Sequence, residues 1–277
     1  MCARAAQLLT AASRMTRVRS PFVMFLALCV AGVLSIVAYR LRALTAGGAA
    51  AATLVGGSAV SAGRGWIALL LFFFASASTL GRWRRERREQ LTGNIIAKGD
   101  RRDTAQVLAN GLVFALAALA ARNGNATTWQ AVGAGAIAAA IADTWATEIG
   151  TVAGGTPRHL LTLSPVPAGT SGGVTIAGTT AALAGALLAA AIVMAVRWGT
   201  PFLAVAAGGF AGSIMDSLLG AAVQERRRCT GCQIDTEQRV HRCGTPTVRV
   251  GGIPGLGNDM VNFVSVLAGG LLCLALA

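Results

Sequence analysis

Charge is scarce in this chain. Only 13% of its 277 residues are Asp, Glu, Lys or Arg, against 54% hydrophobic residues and a mean hydropathy of +0.61. That scarcity excludes a water-soluble domain of this length and points to a protein that crosses a membrane several times. Alternation of apolar and polar residues is also missing. The apolar stretches are continuous, which excludes a membrane β-barrel and leaves helices, whose backbone groups satisfy one another in lipid. Aromatic residues make up 5% and no RNA- or DNA-binding signature is present, so the net charge of +13 does not mark a nucleic-acid binder. The basic residues sit in short loops beside apolar spans, where they set orientation and touch lipid headgroups. Lysine is nearly absent: Lys98 is the one lysine among 24 Lys and Arg. No internal repeat is evident, which withholds support from an inverted-repeat transporter.

What remains is an all-α, polytopic transmembrane helix bundle. About eight spans are expected, near 21–39, 43–62, 65–81, 104–121, 129–149, 174–196, 201–223 and 257–277. The second, rich in glycine and alanine, should pack closely against its neighbours. Residues 1–20 carry four arginines and no acid and read as a targeting leader or as a basic flank of the first span. Residues 21–277 read as a single domain with larger loops at 82–103, 150–173 and 224–256. With these loops and 40–42 on one side, that side holds seventeen Lys and Arg and the other holds seven. The positive-inside tendency then turns it toward the cytoplasm or stroma, although the N-terminal arginines pull the other way. The cluster "RWRRERREQ", 82–90, fits this topogenic role.

Acids are few as well. Of eleven, seven lie in or beside the basic loops, and Asp143, Glu148, Asp216 and Asp259 lie at or within spans. A charge at a helix centre costs about 2.5–3.5 kcal/mol, so carboxylates kept there are candidates for function. The topology brings all four, together with Lys98 and Asp103, toward one membrane face. Helical spacing places Asp103, Gln106 and Asn110 on one stripe and Asn258, Asp259 and Asn262 in one arc. Asp143 and Glu148 are five apart and point apart. They can serve one site if the helix end unwinds near Gly150 or if two neighbouring helices approach.

Two glycine-rich turns reach the same face. In "SPVPAGTSGGVT", Gly169, Thr170, Ser171, Gly172 and Gly173 precede a helix N-terminus, a combination suited to binding an anion. No GK[ST] follows, so it is not a Walker loop. "GGIPGLGND" leads into Asp259. Acids and turns on one face suggest phosphate held by backbone amides and by carboxylate-bound Mg²⁺. Separately, "CTGCQIDTEQRVHRC" offers Cys229, Cys232, His241 and Cys243, a candidate structural Zn²⁺ site whose alternative is a set of free thiols.

The segments "KGDRRDTAQVLANG", "ADTWATEIG", "PVPAGTSGGVT", "GSIMDSLLGAAVQ", "HRCG" and "NDMVNF" together resemble the integral membrane family of transmembrane protein 19. That family includes the phytyl-phosphate kinase of tocopherol and phylloquinone synthesis. The resemblance implies transfer of phosphate from a nucleoside triphosphate, CTP or another, onto an isoprenyl monophosphate. The motif positions it carries over are Asp143, Glu148, Gly169–Gly173, Asp216, Gln224, Asn258, Asp259 and Asn262. On chemical grounds Asp143, Asp216 and Asp259 would hold Mg²⁺ with Glu148 assisting. Lys98 or Arg101 would neutralise charge, and Asn110, Asn258 and Asn262 would orient oxygens. A cytidylyltransferase-like enzyme and a cation-coupled transporter stand as the alternatives.

Overall fold

A computed structural model describes residues 21–99 and 101–277; the basic tail, and with it the leader expectation, lies outside the described residues. The helices run α1 (Pro21–Arg40), α2 (Ala46–Ala62), α3 (Arg64–Arg82), α4 (Arg85–Thr92), α5 (Thr104–Asn123), α6 (Ala126–Val152), α7 (Ile176–Ala195), α8 (Phe202–Ala222) and α9 (Asn258–Ala275). All eight expected spans are helical. Six of them, α1, α3, α5, α7, α8 and α9, are long and apolar enough to cross a membrane. The other two are the 17-residue α2 and the 27-residue α6.

The composition of α6 explains why it falls outside that group. Its middle is alanine and glycine with one valine and two isoleucines, polar residues flank it on both sides, and every residue from Ala131 to Ala142 is buried. It packs against α3, α5, α7, α8 and α9, so it meets protein where the outer helices meet lipid. Between apolar helices in lipid there is little hydrophobic drive, and close approach over small side chains has to supply the attraction. The glycines show how close that approach is. A Cβ added to Gly135 would collide with the Gly269 carbonyl oxygen and Cys273 Cβ, and one added to Gly209 would lie 2.8 Å from Ala138 Cβ. The opposite extreme is α1. It buries only Ala27, Ala31, Ser35 and Ala38, a stripe of small residues turned to α2, and leaves Phe22, Phe25, Val33 and Ile36 exposed.

Two loops hold more structure than a bundle of spans alone implies. Residues 82–103 contain α4, whose buried Arg88 and Thr92 are one turn apart on one face. Residues 224–256 fold as a small antiparallel sheet of order β4-β3-β5, with β3 at Arg226–Cys229, β4 at Ile234–Thr236 and β5 at Thr247–Gly251. A shorter ribbon pairs β1 (Arg158–His159) with β2 (Gly173–Val174) and leads into α7.

The α6–α9 contact gives a stability prediction. Gly135→Ala should lower the thermal midpoint by an amount matching about 1–3 kcal/mol of overpacking, read by scanning fluorimetry in detergent. Gly199→Ala, with no atom near its added Cβ, should leave the midpoint unchanged.

Candidate functional site

One end of the bundle carries a cavity of about 980 Å³. It is bounded by the C-terminal ends of α3, α6 and α8, the N-terminal ends of α7 and α9, and the loops at 40–43, 96–102, 168–175 and 237–240. The loops assigned to one face therefore do meet. The opposite end holds the turns at 63, 123–125 and 196–201, where the Trp66 and Trp198 rings pack tilted at 54° with centroids 4.7 Å apart.

Six of the eleven acids line this cavity: Asp143, Glu148, Asp216, Glu225, Glu237 and Asp259. Eight cations, Arg42, Arg82, Arg85, Arg88, Lys98, Arg102, Arg227 and Arg239, line it too. Asp143 comes from α6 and Asp216 from α8. Asp216 Oδ2 and Asp259 Oδ1 are buried and without hydrogen-bond partners among the described residues. Hard carboxylate oxygens left unpartnered in a polar cavity suit Mg²⁺, which takes one or two carboxylates and completes its shell with phosphates and water. The three aspartates do not converge on one point, however. Among the described residues the group drawn tightly enough to enclose an ion is Cys229, Cys232, His241 and Cys243. Asp259 Oδ2 instead receives Lys98 Nζ at 2.5 Å, and Lys98 also reaches Asp103 Oδ2 at 2.8 Å. Burial lowers the Lys98 pKa, but its hydrogen bonds to Asp103 and Asp259 and their charges outweigh this and hold it above the ordinary lysine value.

Glu148 reaches the site without any unwinding. The α6 helix runs on to Val152, so Asp143 and Glu148 keep their different directions and the cavity wraps round the helix end. Glu148 pairs with Arg88 of α4, a contact between two largely buried side chains. Gly150 does not terminate the helix; a Cβ there would lie 2.9 Å from Gly178 Cα of α7.

The 169–173 turn lines the cavity, seated on the end of α8. Gly172 has φ +72°, and an added Cβ would lie 2.5 Å from Ala221 Cα, so glycine is needed there on both counts. Thr170 N–H donates to Pro167 O at 3.2 Å and Gly173 N–H to Thr170 O at 2.9 Å. The amides of Ser171 and Gly172 have no acceptor among the described residues. The α7 N-terminus behind the turn is capped by Thr175, whose Oγ1 accepts from Gly178 N–H at 3.0 Å. The α9 N-terminus, where Gly257, Asn258 and Asp259 line the cavity, has no side-chain cap.

Three residues given roles from sequence do not line this cavity. Arg101 donates to the Leu44 carbonyl at 3.0 Å and lies 5.7 Å over the Tyr39 ring, which ties the loop to the end of α1; its neighbour Arg102 faces the cavity instead. Asn110 lies one turn deeper than Gln106, donates to the Gln106 carbonyl at 3.1 Å, and lines a smaller apolar cavity. Asn262 lies one turn deeper than Asn258, with its Oδ1 buried and without a hydrogen-bond partner among the described residues.

Glu237 is the residue that sequence reasoning passed over. It sits among the loop acids, yet its Oε1 accepts from Ser171 Oγ at 2.6 Å and from Gln224 Nε2 at 2.7 Å. Burial pushes its carboxyl above the ordinary range, and the Ser171 and Gln224 hydrogen bonds only partly oppose this. The available signal was its place in a loop flanked on both sides by site motifs.

The Arg88–Glu148 pair can be tested separately from any activity. Removing one partner of a largely buried ion pair costs about 3–5 kcal/mol, whereas replacing both by apolar residues is often neutral. Glu148→Gln should therefore lower the thermal midpoint, and Arg88→Met with Glu148→Leu should recover most of the loss.

Comparison with known proteins agrees with this architecture. A family described as integral membrane protein DUF92 matches residues 29–270. Protein PGR of Arabidopsis thaliana is 29% identical over 279 residues, covering 89% of this chain and 93% of that protein. An uncharacterized membrane protein of Methanocaldococcus jannaschii is 32% identical over 179 residues, covering 62% of this chain and 60% of its own length. One from Synechocystis is 29% identical over 170 residues, covering 59% and 64%. No solved structure matches significantly. These matches fit the resemblance carried by the motifs, and the chain belongs to the DUF92 family of integral membrane proteins.

Proposed function

We propose that this protein is a membrane-embedded phosphotransferase that converts an isoprenyl (phytyl-like) monophosphate to the diphosphate, with CTP or another nucleoside triphosphate as donor. The observation that carries this reading is the lining of the 980 Å³ cavity, where carboxylates, guanidinium groups and free turn amides meet at the end of apolar helices. A transporter site would sit nearer the midplane, between repeats. A chamber with acids for a divalent cation and cations for phosphate suits a metal–polyphosphate.

An apolar tail has somewhere to go. A second cavity of about 160 Å³ is lined by Leu34, Ala52, Val60, Leu70 and Phe74 among others, and it shares Ala77, Arg102 and Gln106 with the polar cavity. A prenyl chain lying there, between α1, α2, α3 and α5, would leave its phosphate beside Arg102 and Lys98.

The reaction asks little of a base. The monophosphate is already a dianionic nucleophile near neutral pH. One of its oxygens forms a bond to the γ-phosphorus, the bond from that phosphorus to the β–γ bridging oxygen breaks, and nucleoside diphosphate leaves with no proton moved. What remains is positioning and charge neutralisation. Asp143 and Asp216 would hold Mg²⁺, which supplies charge neutralisation at the nucleotide phosphates. Lys98 is held by Asp259 and Asp103 on the other wall, where it can meet a phosphate oxygen. The Ser171 and Gly172 amides and the α9 N-terminus would bind further phosphate oxygens. By its loop charge, this end faces the cytoplasm or stroma.

Purified protein given labelled CTP or ATP, Mg²⁺ and a panel of isoprenyl monophosphates should yield isoprenyl diphosphate and nucleoside diphosphate. Release of pyrophosphate with a nucleotidyl-lipid product would establish the cytidylyltransferase reading instead, and no product from any pair would remove the enzyme reading. Asp259→Asn should cut turnover on the order of 10²–10³-fold, as loss of one preorganised charge does elsewhere. It should leave the thermal midpoint within a few degrees of wild type. Full activity in that variant would take Asp259 out of the chemistry.

A further inference from the structure

The sheet β4-β3-β5 presents a physical problem. Its strands are four, three and five residues long, and such a unit is far too small to hold itself together with a hydrophobic core. Its apolar side chains do not even try: Val240, Val248, Val250 and Ile253 are all about half exposed. What it buries between Arg226 and Gly251 is Cys229, Thr236, His241 and Thr247. Something other than apolar packing must fix it.

We infer that Cys229, Cys232, His241 and Cys243 form a structural zinc site that holds this sheet over the cavity. Their ligand atoms all lie within 4.8 Å of one another. Cys229 Sγ is 3.6 Å from Cys243 Sγ, and His241 Nδ1 is 3.1 Å from Cys243 Sγ. A tetrahedral zinc with bonds of ~2.3 Å to sulfur and ~2.0–2.1 Å to nitrogen sets its ligand atoms about 3.4–3.8 Å apart. The Cys229–Cys243 separation is the one such an ion imposes and is too long for a sulfur–sulfur bond of ~2.05 Å, and the other ligand atoms lie close enough to close on the same ion with small side-chain shifts.

The backbone is shaped for it as well. Cys229 ends β3, and the turn after it closes through Gln233 N–H donating to Cys229 O at 2.8 Å, with Gln233 at φ +58°. That turn aims the Cys232 N–H at Cys229 Sγ, 3.4 Å away. Across the sheet, His241 N–H donates to Thr245 O at 3.0 Å, and the turn places Thr245 Oγ1 3.3 Å from Cys243 Sγ. The Cys232 N–H aimed at Cys229 Sγ stabilises a thiolate, the form that binds metal.

The ion would serve the cavity through β4. That strand leads directly into Glu237, clamped by Ser171 and Gln224, and into Gln238, whose Nε2 donates to the Gly93 and Ile96 carbonyls at 2.9 Å each. The same contacts seat the segment that carries Lys98. These four ligands are therefore positioning residues.

The test needs no turnover, so its failure leaves the phosphotransferase reading untouched. Protein purified without chelator should carry about one zinc per chain by inductively coupled plasma mass spectrometry. Cys29→Ser should keep it and Cys232→Ser should lose it. Because the Cys232 variant could misfold, wild-type protein is also stripped and reloaded with Co²⁺, which should give the visible bands of a tetrahedral thiolate site. Wild-type protein that takes up neither metal, or a Cys232→Ser variant with unchanged metal content, would overturn the inference.

Discussion

The close approach of five helices to α6 is the constraint on which the rest of the structure depends. Lipid cannot satisfy a polar group, so a carboxylate can be kept in a span only where protein surrounds it. The alanine–glycine run from Ala131 to Ala142 makes α6 a thin rod that other helices can enclose. Enclosure then lets Asp143, one residue past that run, face α8 and the cavity. A leucine-rich α6 would have needed wider spacing, and the chamber at its end would open to lipid. Close packing in the apolar half and carboxylates in the polar half are in this sense one design.

Charge in the cavity is mixed, and the mixture is sorted. Arg88 is committed to Glu148, Arg227 to Glu225 at 2.5 Å, and Lys98 to the aspartates of two different segments. These pairs keep buried charges from standing alone, which would be costly in a low-dielectric end of the bundle. The exception is the α6–α8 side. There Asp143 and Asp216 both line the cavity, and Asp216 Oδ2 has no hydrogen-bond partner among the described residues. Those are the two carboxyls the proposed Mg²⁺ would use, and Arg82, Arg85, Arg88 and Arg102 line the same cavity.

Much of this was legible in the sequence, and for definite reasons. Eight apolar runs gave eight helices because lipid permits little else. The four span acids stood out because a membrane charges a high cost for each. Helical spacing also showed that Asp143 and Glu148 point apart, although the remedy lay in the shape of the cavity and not in an unwound helix. Asn110 and Asn262 could not be sorted from their neighbours that way, and Arg101, in the loop before α5, has no helical spacing to read. Whether a residue lies at the cavity or one turn deeper depends on where each helix starts relative to the others, and single-chain periodicity does not encode that depth. Glu237 was hidden for a different reason: its importance comes from Ser171 and Gln224, which are distant in sequence and brought beside it by the α8 end and the 169–173 turn.

The polar end is held together loop to loop as much as loop to helix. Glu237 N–H donates to Ile95 O at 2.8 Å, Thr236 Oγ1 to the same carbonyl at 3.0 Å, and Leu160 N–H to Gly172 O at 2.9 Å. On the far side of the sheet, Glu225 accepts from Gly255 N–H at 2.5 Å and from Arg227, and these bonds hold its carboxyl below the ordinary range. That anchors the glycine turn feeding Asp259. Three connections, at 82–103, 150–173 and 224–256, thus share one hydrogen-bonded roof seated on the ends of helices that are themselves set by small-residue packing. A fault in the roof should consequently disturb Lys98, Glu237 and the 169–173 turn together and leave the α6 core in place. Such a division lets the bundle stay rigid while the polar end is governed by a few exchangeable polar contacts.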